Sequence, residues 1–130
     1  MGKLSPADFG AVLETAVEGW GAAPVVTCGM VGSRQGWFEA PYAPVPCAAA
    51  PRLVRVPDHE ARPVYIACGV RQDSPPDVVD AWVRLLLTGL LQERAQWDGV
   101  AWVVGRDLSH WVHLSAGEAV SCQSFMTPRL

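Results

Sequence analysis

A short apolar run, Val25-Val26-Thr27-Cys28-Gly29-Met30-Val31, passes directly into a glycine-punctuated polar loop ending at Ala40-Pro41-Tyr42. The run is bounded by Pro24 and turn residues and is the right length for a buried strand. Ahead of it, Ser5-Pro6-Ala7-Asp8 carries an N-cap serine, a proline at the first helical position and an acid in the first turn. Phe9, Val12, Leu13, Ala16, Val17 and Trp20 then recur at helical spacing. Glu14 and Glu18 lie off that stripe, and Gly19 and Gly21 supply the stop. A helix feeding a buried strand is the pattern of an α/β protein, which is the fold class expected here.

The loop reads as a binding site built on a strand. Gly29, Gly32 and Gly36 let the backbone turn sharply and approach a ligand closely. Ser33, Arg34 and Gln35 at its tip offer a hydroxyl, a planar guanidinium and an amide, a set suited to a small hydroxylated anion such as a sugar acid. An ordinary strand-to-loop connection with a solvent-facing Arg34 accounts for the same residues equally well.

Beyond the loop, Pro41, Pro44, Pro46, Pro51, Pro57 and Pro63 favour an extended, irregular crossing over a helix. Short strands are expected at 53–56 and 64–68. Asp58-His59-Glu60 is expected as a solvated turn, because adjacent side chains do not easily converge on one metal ion. Ser74-Pro75-Pro76-Asp77 repeats the cap-and-proline start and predicts a helix from residue 78 to near residue 96. Its apolar residues, Val78, Val79, Trp82, Val83, Leu85, Leu86, Leu87, Leu90 and Leu91, cover most of its circumference, so self-association or a second chain is expected along 78–91. A strand at 100–104 and a hairpin of 111–114 with 119–125 complete the pattern. His110 and His113, three apart on a strand, point to opposite faces and are poor candidates to share a metal.

A chain of 130 residues is sized for one domain, and 50% apolar against 18% charged residues is enough to bury a core. Net charge of -3 argues against a nucleic-acid face, which needs a basic surface. No apolar run approaches the roughly 18–20 residues that cross a bilayer, and Met1-Gly2-Lys3-Leu4-Ser5-Pro6 lacks a signal peptide's apolar core, so a soluble cytoplasmic protein is expected, without membrane or nucleic-acid partners. The four cysteines, Cys28, Cys47, Cys68 and Cys122, occur singly with no Cys-x-x-Cys pair; reduced, mostly buried thiols and no bound metal are expected.

Gly29-Met30-Val31-Gly32-Ser33, Gly36-Trp37, Ala40-Pro41-Tyr42 and Val45-Pro46 resemble the substrate-side signature of the 2-dehydro-3-deoxygalactonokinase family, which phosphorylates a 2-keto-3-deoxy sugar acid with ATP. Trp111-Val112 and Phe125-Met126-Thr127 resemble that family's strand pair, and Ile66-Ala67-Cys68-Gly69-Val70 and Pro76-Asp77-Val78 match more weakly. The resemblance implies a partial actin-like, ribonuclease-H-like sugar-kinase architecture, the end of a first lobe plus the opening strands of a second. Residues 1–130 would then form a single α/β domain, with helix, substrate-side strand and loop, and proline-rich crossing in 1–72, and apolar helix, strand and hairpin in 73–130. It also implies ATP and Mg2+ as cofactors, a sugar acid as ligand, galactonate catabolism as setting, and Gly32, Ser33, Arg34, Gln35, Trp37 and Tyr42 as substrate-binding residues.

The chain departs from the family where chemistry belongs. Gly105-Arg106-Asp107-Leu108-Ser109-His110-Trp111 stands in place of a phosphate-facing Pro-Gly-Thr-His-Ser/Thr-Lys-Trp turn, and Asp80-Ala81-Trp82-Val83-Arg84-Leu85 in place of an acidic run. Pro128-Arg129 replaces Gly-Glu, and there is no Gly-x-x-x-x-Gly-Lys-[Ser/Thr] loop. Apolar side chains neither ligate magnesium nor take a proton. No catalytic residue is therefore assigned, although Asp77, Asp80 and Asp107 remain as acids. The expectation is a kinase relative that is weak or inactive as this chain, the alternative a noncatalytic module for sugar-acid binding or protein interaction.

Overall fold

A computed structural model of the chain describes residues 5–126. In chain order its elements are α1 (Pro6–Ala16), β1 (Val25–Thr27), a 3-10 turn (Met30–Gly32), β2 (Ala43–Pro44), β3 (Cys47–Ala48), β4 (Leu53–Arg55), β5 (Val64–Ala67), β6 (Val70–Asp73), β7 (Pro76–Val79), α2 (Ala81–Glu93), β8 (Gly99–Val104), β9 (Leu108–Ser115) and β10 (Glu118–Met126). The fold is mixed α/β with more strand than helix. It parts into two compact units: one combines the chain up to Pro41 with Leu53–Cys68, the other combines Tyr42–Arg52 with the chain from Gly69 onward. The proline-rich stretch is thus divided between both.

In the first unit, β5 is the central strand of a sheet ordered β1-β5-β4, parallel to β1 and antiparallel to β4. Val64 and Ile66 of β5 are fully buried and join Ala40, Val56 and Cys68 in one core, against which Leu13, Val31 and Trp37 pack. The cap expected at Ser5 forms: its backbone N–H and its hydroxyl both donate to Asp8 Oδ2, at 3.0 and 2.8 Å. The helix is shorter than the expected stripe: α1 ends at Ala16, so Val17 and Trp20 lie beyond it, and Val12 on the stripe is exposed. The strand expected from 25 to 31 is cut short. Only Val25, Val26 and Thr27 pair with β5, and Gly29 then turns the chain at φ 95° into the 3-10 turn.

A polar knot fastens α1 to the 59–62 segment. Glu14 accepts hydrogen bonds from Arg62 Nε at 3.0 Å and Arg62 Nη2 at 2.9 Å, and its Oε2 lies 2.9 Å from His59 Nε2. The remaining nitrogen of that guanidinium, Nη1, donates to the Gly21 carbonyl. His59 thus lies in a tertiary contact with a residue of α1, and among the described residues no group of three or more His, Cys, Asp or Glu side chains could hold a metal ion.

In the second unit, one sheet runs β3-β10-β9-β8 and another β2-β6-β7. Val70, Val79, Val83, Leu87, Val112, Leu114 and Ala119 form its core. The helix start read at Ser74-Pro75-Pro76-Asp77 is corrected: Pro76–Val79 is the strand β7, paired antiparallel with β6 from Val70↔Val79 to Asp73↔Pro76. β-Branched Val78 and Val79 point to opposite sides, one exposed and one buried, as a strand requires. The helix starts only after Asp80, its N-cap, and ends at Glu93, short of residue 96. It buries Ala81, Val83, Arg84 and Leu87, while Leu86 stays exposed.

Arg84 is the buried charge of this helix. Its Nε donates to the Ala49 carbonyl at 3.2 Å, Nη1 to Gly69 at 3.1 Å and Nη2 to Ala48 at 2.8 Å. The guanidinium thereby serves carbonyls of a proline-interrupted segment whose own strands are two residues long. The hairpin of β9 and β10 is longer than expected and carries a register shift between Ala119 and Ser121. His110 is buried and His113 exposed, as their spacing requires. Cys68 and Cys122 are buried, Cys47 is half-buried, and Cys28, just after β1, is exposed; none of the four is in a disulfide. Among the described residues no helix is long and apolar enough to cross a membrane.

The polar knot predicts acid sensitivity. Hydrogen bonds from Arg62, then from His59, hold the Glu14 carboxyl below its usual value of 4.5. A carboxylate depressed in the folded state contributes stability that is complete above its unfolded value and lost as pH falls through the folded one. Chemical denaturation of the protein should therefore weaken below pH 4.5. Glu14→Gln should be less stable than the native chain at neutral pH and flatter in its acid limb. Parallel acid limbs in the two proteins would remove this role.

Candidate functional site

The loop after β1 is closed by its own backbone. Gly32 N–H donates to the Gly29 carbonyl at 3.1 Å and Ser33 N–H to Met30 at 3.0 Å. Gly36 N–H donates to Ser33 at 3.0 Å, Trp37 N–H to Val31 at 2.8 Å and Ala40 N–H to Gly32 at 2.8 Å. Residues 29–40 therefore form a folded-back loop, and Gly36 sits where a Cβ atom would overlap the carbonyls of Met30 and Val31. Its floor is β5, since a Cβ on Gly32 would lie 2.8 Å from the Ile66 side chain.

At the tip the functional groups face outward. The Ser33 hydroxyl donates to the Met30 carbonyl at 2.8 Å, which leaves its oxygen lone pairs to accept. The Arg34 side chain is 87% exposed, and its Nε stands 3.5 Å from Glu39 Oε1, a solvated pair of little energetic weight. Gln35 is exposed beside it. Trp37 lies inward, stacked on Phe9 at 6.1 Å and edge-on to His59 at 5.2 Å. With Pro6, Gly10, Phe38, Pro57 and Asp58 it lines a cavity of about 290 Å³.

Gly32, Ser33, Arg34, Gln35 and Trp37 thus belong to one folded loop of the first unit. Tyr42 belongs to the second unit. There its ring covers Gly69, and its hydroxyl donates to Asp80 Oδ1 at 3.4 Å. Burial, reinforced by the Asp80 carboxylate, pushes its phenol up from the usual value.

Of the acids left as candidate bases, Asp80 occupies the N-cap position of α2 without a side-chain cap bond and its Oδ1 accepts from Tyr42, and Asp77 Oδ1 accepts from the N–H of Val78. His110 Nδ1 lies 2.6 Å from Ser124 Oγ, and its Nε2 is buried with no hydrogen-bond partner among the described residues. Sequence spacing gave no sign of this pair or of the Arg84 clamp, because each joins residues far apart along the chain.

The described fold matches a crystal structure of a "putative 2-dehydro-3-deoxygalactonokinase protein from Sinorhizobium meliloti" with a TM-score of 0.78 and 29% identity, over 92% of this chain and 40% of that one. Its class is therefore a mixed α/β protein whose fold matches part of that neighbour. The "Probable 2-dehydro-3-deoxygalactonokinase DgoK1" of Rhizobium meliloti (strain 1021) is 34% identical over 114 residues. This chain spans 36% of that relative's length. The family model for 2-keto-3-deoxy-galactonokinase matches residues 1–130, and the chain belongs to that family.

If the loop depends on its backbone closure, Gly36→Ala should unfold it locally. Overpacking against two carbonyls should cost about 2 kcal/mol in chemical denaturation. Hydrogen exchange at the amides of 36, 37 and 40 should accelerate together; unchanged exchange there would show that the closure is dispensable.

Proposed function

We propose that this chain supplies the sugar-acid-binding part of a cytoplasmic 2-keto-3-deoxy sugar-acid kinase acting in galactonate catabolism. The observation that carries the reading is the closed loop, which holds an exposed guanidinium on a folded backbone within a chain of the galactonokinase family. Arg34 would exchange its loose contact with Glu39 for a bidentate grip on the ligand carboxylate. Ser33 and Gln35 would bond its keto and hydroxyl groups, and the backbone at Gly32 would allow close approach. Trp37, held by Phe9 and His59, would anchor the loop's inner end. In this reading the chain is the end of the first lobe and the opening strands of the second lobe of an actin-like kinase.

Family membership makes ATP the phosphoryl donor of the proposal and Mg2+ its ion. The described residues contain no group of three or more His, Cys, Asp or Glu side chains that could hold an ion by themselves, so Mg2+ would depend on the nucleotide phosphates and water for most of its ligands. Phosphoryl transfer depends on positioned charge at the phosphates, so a chain without those groups would turn over weakly or not at all. The same lack supports, as a second reading, a noncatalytic sugar-acid-binding or protein-interaction module.

Calorimetry with 2-keto-3-deoxygalactonate and its gluconate epimer tests the binding claim. One of them should bind, and Arg34→Ala should weaken it by roughly tenfold or more, the loss expected for a charge-assisted hydrogen bond. Equal affinity in the variant, or no binding of either acid, would overturn the assignment. A coupled assay of the chain with ATP and the bound acid should show consumption at background; turnover at the rate of a full-length relative would refute the inactivity.

A further inference from the structure

A second cavity lies wholly within the second unit. Register places Trp111 of β9 between Trp102 of β8 and Gln123 of β10, and the two indoles stack at 5.2 Å and 24°. Along the same face His113 pairs with Ser121 of β10. The β6–β7 turn, with Ser74 and Pro75, closes the other side, and with Trp111, His113, Ser121 and Gln123 it bounds an open cavity of about 420 Å³, while Trp102 backs Trp111 from outside the lining.

The turn is fixed before any ligand arrives. Gln72 Nε2 donates to the carbonyls of Pro75 at 2.9 Å and Cys122 at 3.0 Å, and the Cys122 N–H donates back to Gln72 Oε1 at 2.9 Å. Gln72 is spent in this brace. Ser74, His113, Ser121 and Gln123, by contrast, make no side-chain hydrogen bond among the described residues, so four polar side chains with free capacity surround one half-exposed indole.

No Lys, Arg, Asp or Glu lines the cavity. The Cys122 thiol in its wall is pushed up to about 11, chiefly by burial, and carries no charge at neutral pH. An anionic sugar acid or a phosphate would find no counter-ion here. An aromatic face rimmed by neutral donors and acceptors suits a ligand with one apolar side and a periphery of hydroxyls. A pyranose has that form: its axial C–H bonds, slightly positive, meet the negative face of an indole, and its hydroxyls reach amide, hydroxyl and imidazole groups.

We propose that this cavity binds an uncharged sugar ring, stacked on Trp111 and hydrogen-bonded by Gln123, Ser121 and His113. Its lining shares no residue with the loop around Arg34, and its ligand differs in charge.

Nitrogen-15 NMR of the full chain, titrated with galactose, xylose and galactonate, tests the proposal. The Trp111 indole and the amides of 111–113 and 121–123 should shift along a saturating curve with a neutral sugar, at a Kd on the order of 1 mM. Gln123→Ala, which leaves the indole pair intact, should weaken binding about fivefold, the loss of one neutral hydrogen bond. Trp111→Phe should retain weaker binding and Trp111→Ala should lose it. The proposal fails if neither neutral sugar gives a saturable shift, if Gln123→Ala leaves the affinity unchanged, or if galactonate binds at these residues as tightly as galactose. It fails equally if the shifts centre on 29–40 and vanish in Arg34→Ala.

Discussion

The second unit depends on one buried guanidinium. The segment from Tyr42 to Arg52 contains Pro44, Pro46 and Pro51, and its strands are two residues long, so it cannot satisfy its carbonyls through a regular ladder. Arg84 supplies the donors instead, reaching Ala48, Ala49 and, across to the start of β6, Gly69. The rigid fork of arginine suits carbonyls on two separate segments, Ala48 and Ala49 on one and Gly69 on the other, better than a lysine would, because its donors leave in fixed directions. Once that segment is tied to α2, Ala49 is fully buried and β3 can pair with β10.

The first unit solves a similar difficulty with hydrogen bonds rather than a buried charge. Its sheet has three strands of three to four residues, too little ladder to hold a long loop by itself. Residues 29–40 close on their own backbone and rest on Ile66, while Glu14, His59 and Arg62 tie α1 to the far end of the sheet. Binding chemistry at Arg34 would therefore rest on a pre-formed backbone with only the side chain left to order, which lowers the entropy lost on capture.

Legibility differed between elements for identifiable reasons. α1, β5 and the β9–β10 hairpin were readable because each is specified by local signals: a serine-proline cap, a short apolar run, an alternation of period two. The Ser74-Pro75-Pro76-Asp77 stretch carried the same cap signal and became a hairpin turn and strand. Cap chemistry is permissive for a helix, but Val78 and Val79 gain more from pairing with β6, where Val79 reaches the core, than from a first helical turn. The residues Gly32 to Trp37 were legible as one loop, whereas nothing local separated Tyr42, whose ring covers Gly69 and whose hydroxyl meets Asp80 in the other unit.

By itself the sequence determined the α/β class, the family and the glycine-punctuated loop after β1. These follow from residue type and short-range order along the chain. Tertiary structure alone decided that the proline-rich crossing is shared between two units, that Arg84 is a clamp and not a surface charge, that His59 answers Glu14 and that Gln72 braces the β6–β7 turn. Each of those joins residues separated by tens of positions, and a polar side chain reveals its partner only when packing has removed the water that would otherwise have served it.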